Sequence, residues 1–122
     1  MTHTCDAIVI SCIDFRIQKY VSHWLKERYP KYRSFDRVAL SGGVFDLYAI
    51  LNQIDISDRL HKIKNVLLIN HEDCGAYGDA GSYEHHVHDL TRAVKMTKTL
   101  YPHLNITAYY LHMDGTFDAI AV

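Results

Sequence analysis

The chain has 122 residues, of which 48% are hydrophobic, enough for one domain with a continuous core and too few for two. Its formal net charge is -1, and no block of Lys or Arg provides the basic surface that electrostatic nucleic-acid binding requires. The first ten residues lack the pattern of a secretory signal, and no apolar run approaches the roughly 18 residues of a membrane-spanning helix. We therefore expect one cytoplasmic domain over residues 1–122, with neither nucleic-acid nor membrane partners.

The first half of the chain predicts two strand–helix pairs. Residues 7–11 (AIVIS) form a β-branched apolar run, and apolar side chains then recur at helical spacing from Ile17 until Pro30. Residues 37–40 (RVAL) predict a second strand. The glycines in residues 41–43 (SGG) indicate a tight turn into a second helix.

The next segment contains the most apolar strand of the chain. A short helical stretch is predicted around residues 56–63, and it leads into residues 65–70 (NVLLIN). The four central residues of NVLLIN are all apolar, which is typical of a strand covered on both faces. We expect this strand to lie in the centre of the sheet.

The last part of the chain predicts a long helix and two strands. Ser82 is a candidate N-cap, and Pro102 ends the helix. The residues expected to face inward are Tyr83, Val87, Leu90, Val94 and Leu100. Residues 106–111 (ITAYYL) predict a fourth strand, and the Asp114-Gly115 turn indicates that residues 117–122 return as an antiparallel edge.

This alternation of strands and helices predicts an α/β fold. We expect a mostly parallel, Rossmann-like four-stranded sheet with helices on both faces and a C-terminal antiparallel edge strand. Ligands of such sheets bind beyond the carboxyl ends of the strands. The two segments richest in reactive side chains, SCIDFR and NHEDCG, follow two of the predicted strands.

These two segments contain the candidate metal ligands. If the chain stays extended after the first strand, Cys12, Asp14 and Arg16 point to one side. His71 and Cys74, three residues apart on a turn, can reach one zinc ion at about 2.0–2.1 Å and 2.3 Å. Three cysteines and nine histidines further favour metal binding in a reducing compartment. Cys12, His71 and Cys74 therefore predict a three-ligand zinc site with an open fourth position.

The same segments carry a resemblance to a known family. SCIDFR resembles the Cys-x-Asp-x-Arg motif of beta-class carbonic anhydrases, and NHEDCGAYG resembles their His-x-x-Cys-Gly motif, in the same order and at a similar separation. The resemblance implies Cys12, His71 and Cys74 as zinc ligands and Asp14 with Arg16 as the catalytic pair. It also implies reversible hydration of carbon dioxide to bicarbonate, with zinc as the only cofactor, in a homodimer or a higher homo-oligomer.

The chain departs from this family at two places. The family commonly has Arg-Asn-Ala-Gly before its second helix, whereas residues 39–43 read ALSGG and lack two polar side chains. Family members usually carry an N-terminal helical arm that embraces a partner subunit, whereas the first strand is predicted here almost at once. These differences concern the substrate pocket and the mode of dimerisation.

Three other functions are compatible with the same residues. The nearest is a hydrolase of carbonyl sulfide or carbon disulfide, because these linear molecules would meet the same nucleophile on the same scaffold. A second is a zinc-binding module without turnover, in which Asp14 stays bound as the fourth ligand instead of pairing with Arg16. A redox protein is disfavoured, because the chain has no Cys-x-x-Cys pair.

Several further residues have a structural and a functional interpretation. For Cys5, a partly buried structural thiol is favoured, and for His85, His86 and His88 a solvated helix face is favoured over a second metal cluster. One of these histidines, or His112, is a candidate proton relay. Tyr77 either lines the pocket or is an exposed loop residue. Asp73 either orients a ligand or is a solvated loop residue.

Overall fold

The computed structural model of the protein describes residues 3–122, which form five strands and three α-helices. The strands are β1 (Ala7–Cys12), β2 (Phe35–Leu40), β3 (Asn65–His71), β4 (Asn105–Leu111) and β5 (Phe117–Ala119). The helices are α1 (Gln18–Arg28), α2 (Leu47–His61) and α3 (Tyr83–Leu100), and a short 3-10 helix covers Gly78–Ala80. Over the described range, no helix combines the length and the apolar character that crossing a membrane demands.

The strands form one sheet in the order β2-β1-β3-β4-β5. The first four are parallel, and β5 pairs antiparallel with β4 after the predicted turn at Asp114 and Gly115. The predicted α/β architecture is thus confirmed. Ile10 lies opposite Leu68 in the parallel β1–β3 pair, so the carboxyl ends of these two strands lie side by side. The two motifs that follow these strands are brought together at this edge.

Alternating side chains of the strands divide the core between the two faces of the sheet. Ile8 and Leu68 pack on the face covered by α2 and α3, whereas Val9 and Leu67 pack on the face covered by α1. All six residues of β1 and six of the seven in β3 are buried. A strand that is apolar on both sides must be covered on both sides, which explains why β1 and β3 occupy the centre.

The helix boundaries differ from the prediction in one region. The stretch expected around residues 56–63 as a separate helix is the second half of α2, which runs without a break from its N-cap Asp46 to Lys62. The Asp46 side chain accepts the N–H of Ala49 at 3.2 Å, and Lys62 ends the helix with a left-handed φ of 52°. No glycine or proline interrupts the segment, so the helical hydrogen bonds continue through it.

The buried stripe of α3 is also shifted from the predicted one. The N-cap Ser82 is confirmed, since its side chain accepts the N–H of His85 at 3.1 Å. Tyr83 and Leu100 were expected to face inward, but they are 42% and 53% exposed. The buried residues are His86, Leu90, Ala93, Val94 and Thr97, which follow the spacing of three and four that places residues on one helix face.

Candidate metal centre

The loop after β1 is folded into a turn around Asp14. The Arg16 N–H donates to Asp14 Oδ1 at 2.9 Å, and Gln18 Nε2 donates to the carbonyl oxygens of Cys12 and Asp14 at 3.0 and 2.8 Å. The strand ends at Cys12, so the condition that the chain stays extended after the first strand is not met. Cys12, Asp14 and Arg16 nevertheless line one cavity, because the turn brings them together instead.

The loop after β3 reverses direction so that Cys74 comes next to His71. Asp73 has a left-handed φ of 57°, and the Cys74 carbonyl accepts the N–H groups of Tyr77 and Gly78 at 3.2 and 3.1 Å. Asp is one of the few non-glycine residues that tolerate this conformation, because its short polar side chain can form local hydrogen bonds. The sequence Asp73-Cys74 thus suits a sharp turn directly before a ligand.

The three predicted metal ligands meet at the carboxyl ends of β1 and β3. One donor atom from each of Cys12, His71 and Cys74 lies within 4.8 Å of the other two, and the two sulfur atoms are 3.9 Å apart. Two thiolates on one tetrahedral zinc ion are about 3.8 Å apart when each Zn–S bond is 2.3 Å. The spacing of the two sulfur atoms therefore fits a shared zinc ion without rearrangement of the backbone.

The orientation of the His71 ring also fits a metal. Its Nδ1 lies 2.6 Å from the carbonyl oxygen of Glu72 and donates to it, which leaves the lone pair on Nε2. Within the described residues, Nε2 is buried and has no hydrogen-bond partner. An unpaired buried nitrogen is costly, and a metal ion at the cluster would satisfy it.

The local electrostatics favour a thiolate at Cys12. Burial raises the pKa of Cys12, but the adjacent His71 ring and the backbone N–H groups of Asp14 and Gly42 outweigh burial and lower it to about 7. The pKa of His71 is raised, because its interaction with Cys12 outweighs the opposing effect of burial. Burial raises the pKa of Cys74. Of the two cysteines in the cluster, Cys12 therefore loses its proton more easily than Cys74.

Asp14 is held beside the cluster by Arg16. The guanidinium donates to both carboxylate oxygens, from Nε at 3.1 Å to each and from Nη2 at 2.7 Å to Oδ2. These hydrogen bonds lower the pKa of Asp14 to about 2, so it is ionised near neutrality. Its Oδ2 lies 3.8 Å from His71 Nε2, at the border of the cluster.

Asp73 is a second partner of Arg16. Nη1 of Arg16 donates to Asp73 Oδ2 at 3.0 Å, and Nη2 donates to the Asp73 carbonyl oxygen at 2.9 Å. Arg16 thus connects the loop after β1 with the loop after β3. Asp73 contacts no predicted metal ligand, and its side chain is 75% exposed, as expected for a solvated loop residue, but it also bonds to Arg16.

The cluster opens into a cavity of about 690 Å³. Polar side chains of Asp14, Arg16 and Asp73 line one part of it, and Ile13 and Phe15 line another. Ile13 is 58% exposed and Phe15 is 85% exposed, which is unusual for such large apolar residues. The cavity therefore combines a charged wall with an apolar rim that is open to solvent.

The structure corrects the favoured interpretation of His86. A solvated helix face was expected for His85, His86 and His88, but His86 is fully buried. The burial lowers the pKa of His86 to about 4, which keeps the ring neutral. Helical spacing offered a signal, since His86 lies four residues before the apolar Leu90 and thus on the same face of α3.

Asn70 was not identified from the sequence, and neither interpretation of Tyr77 was correct. Tyr77 is neither an exposed loop residue nor among the residues that line the cavity, since it is 5% exposed and donates to Asp89 at 2.8 Å. Asn70 is 1% exposed and bonds to both Tyr77 and His86. Cys5 lies outside the cluster and is partly buried, as expected.

The sequence of the chain matches known families and proteins over almost its full length. A family described as "Putative carbonic anhydrase" matches residues 2–121. An uncharacterized protein of Rickettsia bellii is 27% identical over 134 aligned residues, which cover 94% of this chain and 81% of that protein.

Solved structures with the same fold include two enzymes. A carbonic anhydrase from Glaciozyma antarctica superposes with a TM-score of 0.72 at 17% identity, covering 99% of this chain and 85% of that one. The apo form of a carbon disulfide hydrolase superposes with a TM-score of 0.69 at 13% identity, covering 98% of this chain and 80% of that one.

Proposed function

Because the chain belongs to the family described as "Putative carbonic anhydrase", we propose that it binds one zinc ion and catalyses the reversible hydration of carbon dioxide to bicarbonate. The observation that carries this proposal is the buried cluster of Cys12, His71 and Cys74, with the unpaired His71 Nε2 beside it. The cluster opens into a cavity, as a site that turns over a substrate requires. The proposed metal ligands are these three residues, and the proposed catalytic residues are Asp14 and Arg16.

The donor set suits zinc and leaves one position for chemistry. Two thiolates and one imidazole are ligands that zinc prefers, and three protein ligands are typical of a catalytic rather than a structural site. A zinc ion held by these residues would supply Lewis acidity, which lowers the pKa of a water molecule, but by less than at a three-histidine site, because two thiolates neutralise the charge of the ion. Every other role in the proposed reaction falls to side chains that the structure describes.

Asp14 and Arg16 are proposed to orient the attacking water. The carboxylate stays ionised because Arg16 lowers its pKa to about 2, and Oδ2 lies 3.8 Å from His71 Nε2. An ionised carboxylate in this position accepts a hydrogen bond from the water and directs its oxygen lone pair toward the substrate. The hydrogen bonds from Arg16 to both carboxylate oxygens favour this role of Asp14 over ligation of the metal.

The same contacts argue against a zinc module without turnover. That function requires Asp14 to leave Arg16 and complete the coordination of the metal. The arrangement instead pairs Asp14 with Arg16 through three hydrogen bonds and anchors Arg16 a second time on Asp73. The exposed apolar side chains of Ile13 and Phe15 favour a site that admits a small uncharged substrate over a site that is purely structural.

The test of this proposal combines a metal measurement with a rate measurement. Elemental analysis of purified protein is expected to find about one equivalent of zinc per chain. Stopped-flow indicator assays are expected to detect hydration of carbon dioxide faster than the uncatalysed reaction in the same buffer. Protein loaded with zinc that gives no hydration at any pH would refute the reaction. Protein that binds no zinc would refute the site.

The second candidate is hydrolysis of carbon disulfide or carbonyl sulfide. The observation that favours it is the fold shared with a carbon disulfide hydrolase, at a TM-score of 0.69. Both reactions begin with attack of an activated water on the central carbon of a linear molecule, so the same residues serve either. One zinc-loaded preparation should be assayed for sulfide release from the two sulfur substrates and for hydration of carbon dioxide. The ratio of the two rates separates the two functions.

We also propose that two copies of the chain associate through the face around the cavity. Phe15, Phe45 and Tyr48 are 85%, 52% and 88% exposed, and Phe45 packs edge-on against Tyr77 next to the site. Large exposed apolar side chains are typical of interfaces, and a homodimer is the commonest assembly. We propose that this homodimer is cytoplasmic, because thiols that serve a metal site are typical of a reducing compartment.

Sedimentation velocity tests the dimer. Wild-type protein is expected to sediment as a dimer, and Phe15→Ser with Tyr48→Ser should shift it toward the monomer. Leu100→Ser, an exposed apolar residue at the end of α3, serves as the control and should leave the dimer intact. A wild-type monomer at high micromolar concentration would contradict the interface.

A further inference from the structure

Asn70 connects three segments of the protein behind the cluster. It lies on β3 directly before His71 and is 1% exposed. Its Oδ1 accepts the backbone N–H of Val44 at 3.0 Å, and its Nδ2 donates to Tyr77 Oη at 3.0 Å and to His86 Nδ1 at 2.9 Å. One buried side chain thereby joins β3 to the turn after β2, to the loop after β3 and to helix α3.

The network around Asn70 allows only one orientation of the amide. Tyr77 Oη donates its proton to the Asp89 carboxylate at 2.8 Å, so it can only accept from Asn70. The Asn70 atom that faces Tyr77 must therefore be the NH₂ nitrogen, and the carbonyl oxygen must face Val44. His86 accepts the second N–H on Nδ1, as a neutral imidazole can.

The turn that Asn70 holds lies directly against its side chain. Gly43 has a φ of 63°, and a Cβ atom there would lie 2.5 Å from Asn70 Oδ1 and 2.7 Å from the Ile69 carbonyl oxygen. Only glycine allows the backbone to approach so closely. The preceding residue, Gly42, has a φ of 82° and donates its N–H to Cys12 Sγ at 3.3 Å.

We propose that Asn70 is a positioning residue of the metal centre, which holds residues 42–44 so that the Gly42 N–H donates to the Cys12 thiolate. The inference rests on the proposed zinc site but not on the reaction that the site catalyses. Groups that hydrogen-bond to metal ligands tune the affinity for the metal, and their loss typically costs about tenfold to a hundredfold. Asn70 would exert this effect without touching the metal.

The test replaces Asn70 and observes the sulfur–metal bond. In Asn70→Leu the new side chain has a similar volume but no oxygen that can accept the N–H of Val44. In Co²⁺-substituted protein, the thiolate-to-cobalt charge-transfer band is expected to move to longer wavelength, because a sulfur without its hydrogen bond releases electrons more easily. The Kd for zinc, measured against a chelating dye, should rise about tenfold or more.

Two variants serve as controls. Asn70→Asp keeps an oxygen that can accept from Val44 but loses the N–H groups that reach Tyr77 and His86, so its cobalt band should lie closer to that of the wild type than the band of Asn70→Leu does. Thr97→Val removes a different buried hydrogen bond of α3, from Thr97 Oγ1 to the Ala93 carbonyl oxygen at 2.7 Å. It should lower the free energy of unfolding without changing the spectrum. A folded Asn70→Leu protein with the wild-type band and zinc Kd would overturn the proposal.

A measurement on the wild type covers the case in which Asn70→Leu does not fold. The amide protons of Gly42 and Val44 should exchange slowly with deuterium, and exchange at the rate of open loops would overturn the proposal. Wild-type protein that binds cobalt but does not hydrate carbon dioxide refutes only the proposed reaction. Wild-type protein that binds no metal refutes the reaction and the positioning role together.

Discussion

The candidate metal centre consists of a buried half and an exposed half. In the buried half, Cys12, His71 and Cys74 are each no more than 5% exposed. In the exposed half, the side chain of Arg16 is 37% exposed and that of Asp73 is 75% exposed. Strands and backbone N–H groups position the buried half, whereas hydrogen bonds between charged groups position the exposed half. We therefore expect substitutions in the buried half to abolish metal binding and those in the exposed half to change only the rate.

The largest expected effect tests the buried half. Cys74→Ser or His71→Ala leaves two ligands, which bind zinc far more weakly than three, so most of the zinc should be lost. Elemental analysis after gel filtration measures the ratio of zinc to protein. Cys5→Ser is the matched control, since Cys5 is also a free cysteine but lies outside the cluster. Full retention of zinc in both ligand variants would refute the assignment of the ligands.

The second prediction tests the exposed half through Arg16. Arg16→Ala removes the bidentate partner of Asp14, so the hydration rate above neutral pH should fall by about tenfold or more, while zinc content stays unchanged. Stopped-flow assays and elemental analysis on one preparation measure both quantities. Arg59→Ala, which loses only an exposed ion pair with Asp55 on α2, should retain the wild-type rate. An Arg16→Ala protein as fast as the wild type would remove Arg16 from the proposed mechanism.

The third prediction concerns Asp73 and is smaller. Asp73→Gly keeps the left-handed backbone but removes the carboxylate that accepts from Arg16 Nη1. The hydration rate should fall a few-fold, because the loss corresponds to about one exposed hydrogen bond. Asp73→Asn retains an accepting oxygen and tolerates the same φ, and should behave like the wild type. If both variants are equally slow, the charge of Asp73 rather than its hydrogen bond matters.

The smallest prediction measures an exposed His–Asp pair away from the cluster. His112 Nε2 hydrogen-bonds to Asp118 at 2.7 Å, which raises the pKa of His112. The pair therefore stabilises the fold below the ordinary His pKa of about 6.5, and this contribution is lost as the pH rises through the raised pKa of the folded protein. Below the ordinary His pKa, Asp118→Asn should lower the free energy of unfolding by about 0.5 kcal/mol or less. Above the raised pKa of His112, the substitution should leave the free energy of unfolding unchanged. Denaturant titrations at both pH values measure the difference, and an equal loss at both would contradict the linkage.

The overall fold was predictable because burial imposes simple patterns on the sequence. The apolar runs of β1 and β3 indicate strands covered on both faces, and the turn at Asp114 and Gly115 indicates the antiparallel return of β5. The break expected within α2 and the inward position of Tyr83 were wrong. Helix ends and single positions of an amphipathic stripe depend on which part of the helix the sheet covers, which local spacing alone does not specify.

The identity of the reactive residues and their place in the sheet were determined by the sequence alone. Cys12, His71 and Cys74 are chemically distinctive, and their places directly after two apolar runs put them at the carboxyl edge of any parallel sheet built from those runs. Their clustering therefore follows from residue type and strand order. The roles of Asp14 and Arg16 and the binding of zinc stay predictions.

The supporting contacts were decided only by the tertiary structure. Asn70, Tyr77 and His86 are ordinary polar residues in the sequence, and their burial and hydrogen bonds arise because β3, the turn after β2 and helix α3 meet behind the cluster. The contact of Asp73 with Arg16 arises in the same way, from two loops that lie far apart in the chain. A hydrogen bond needs two partners at about 3 Å, and for residues distant in sequence only the packing of the elements sets that distance.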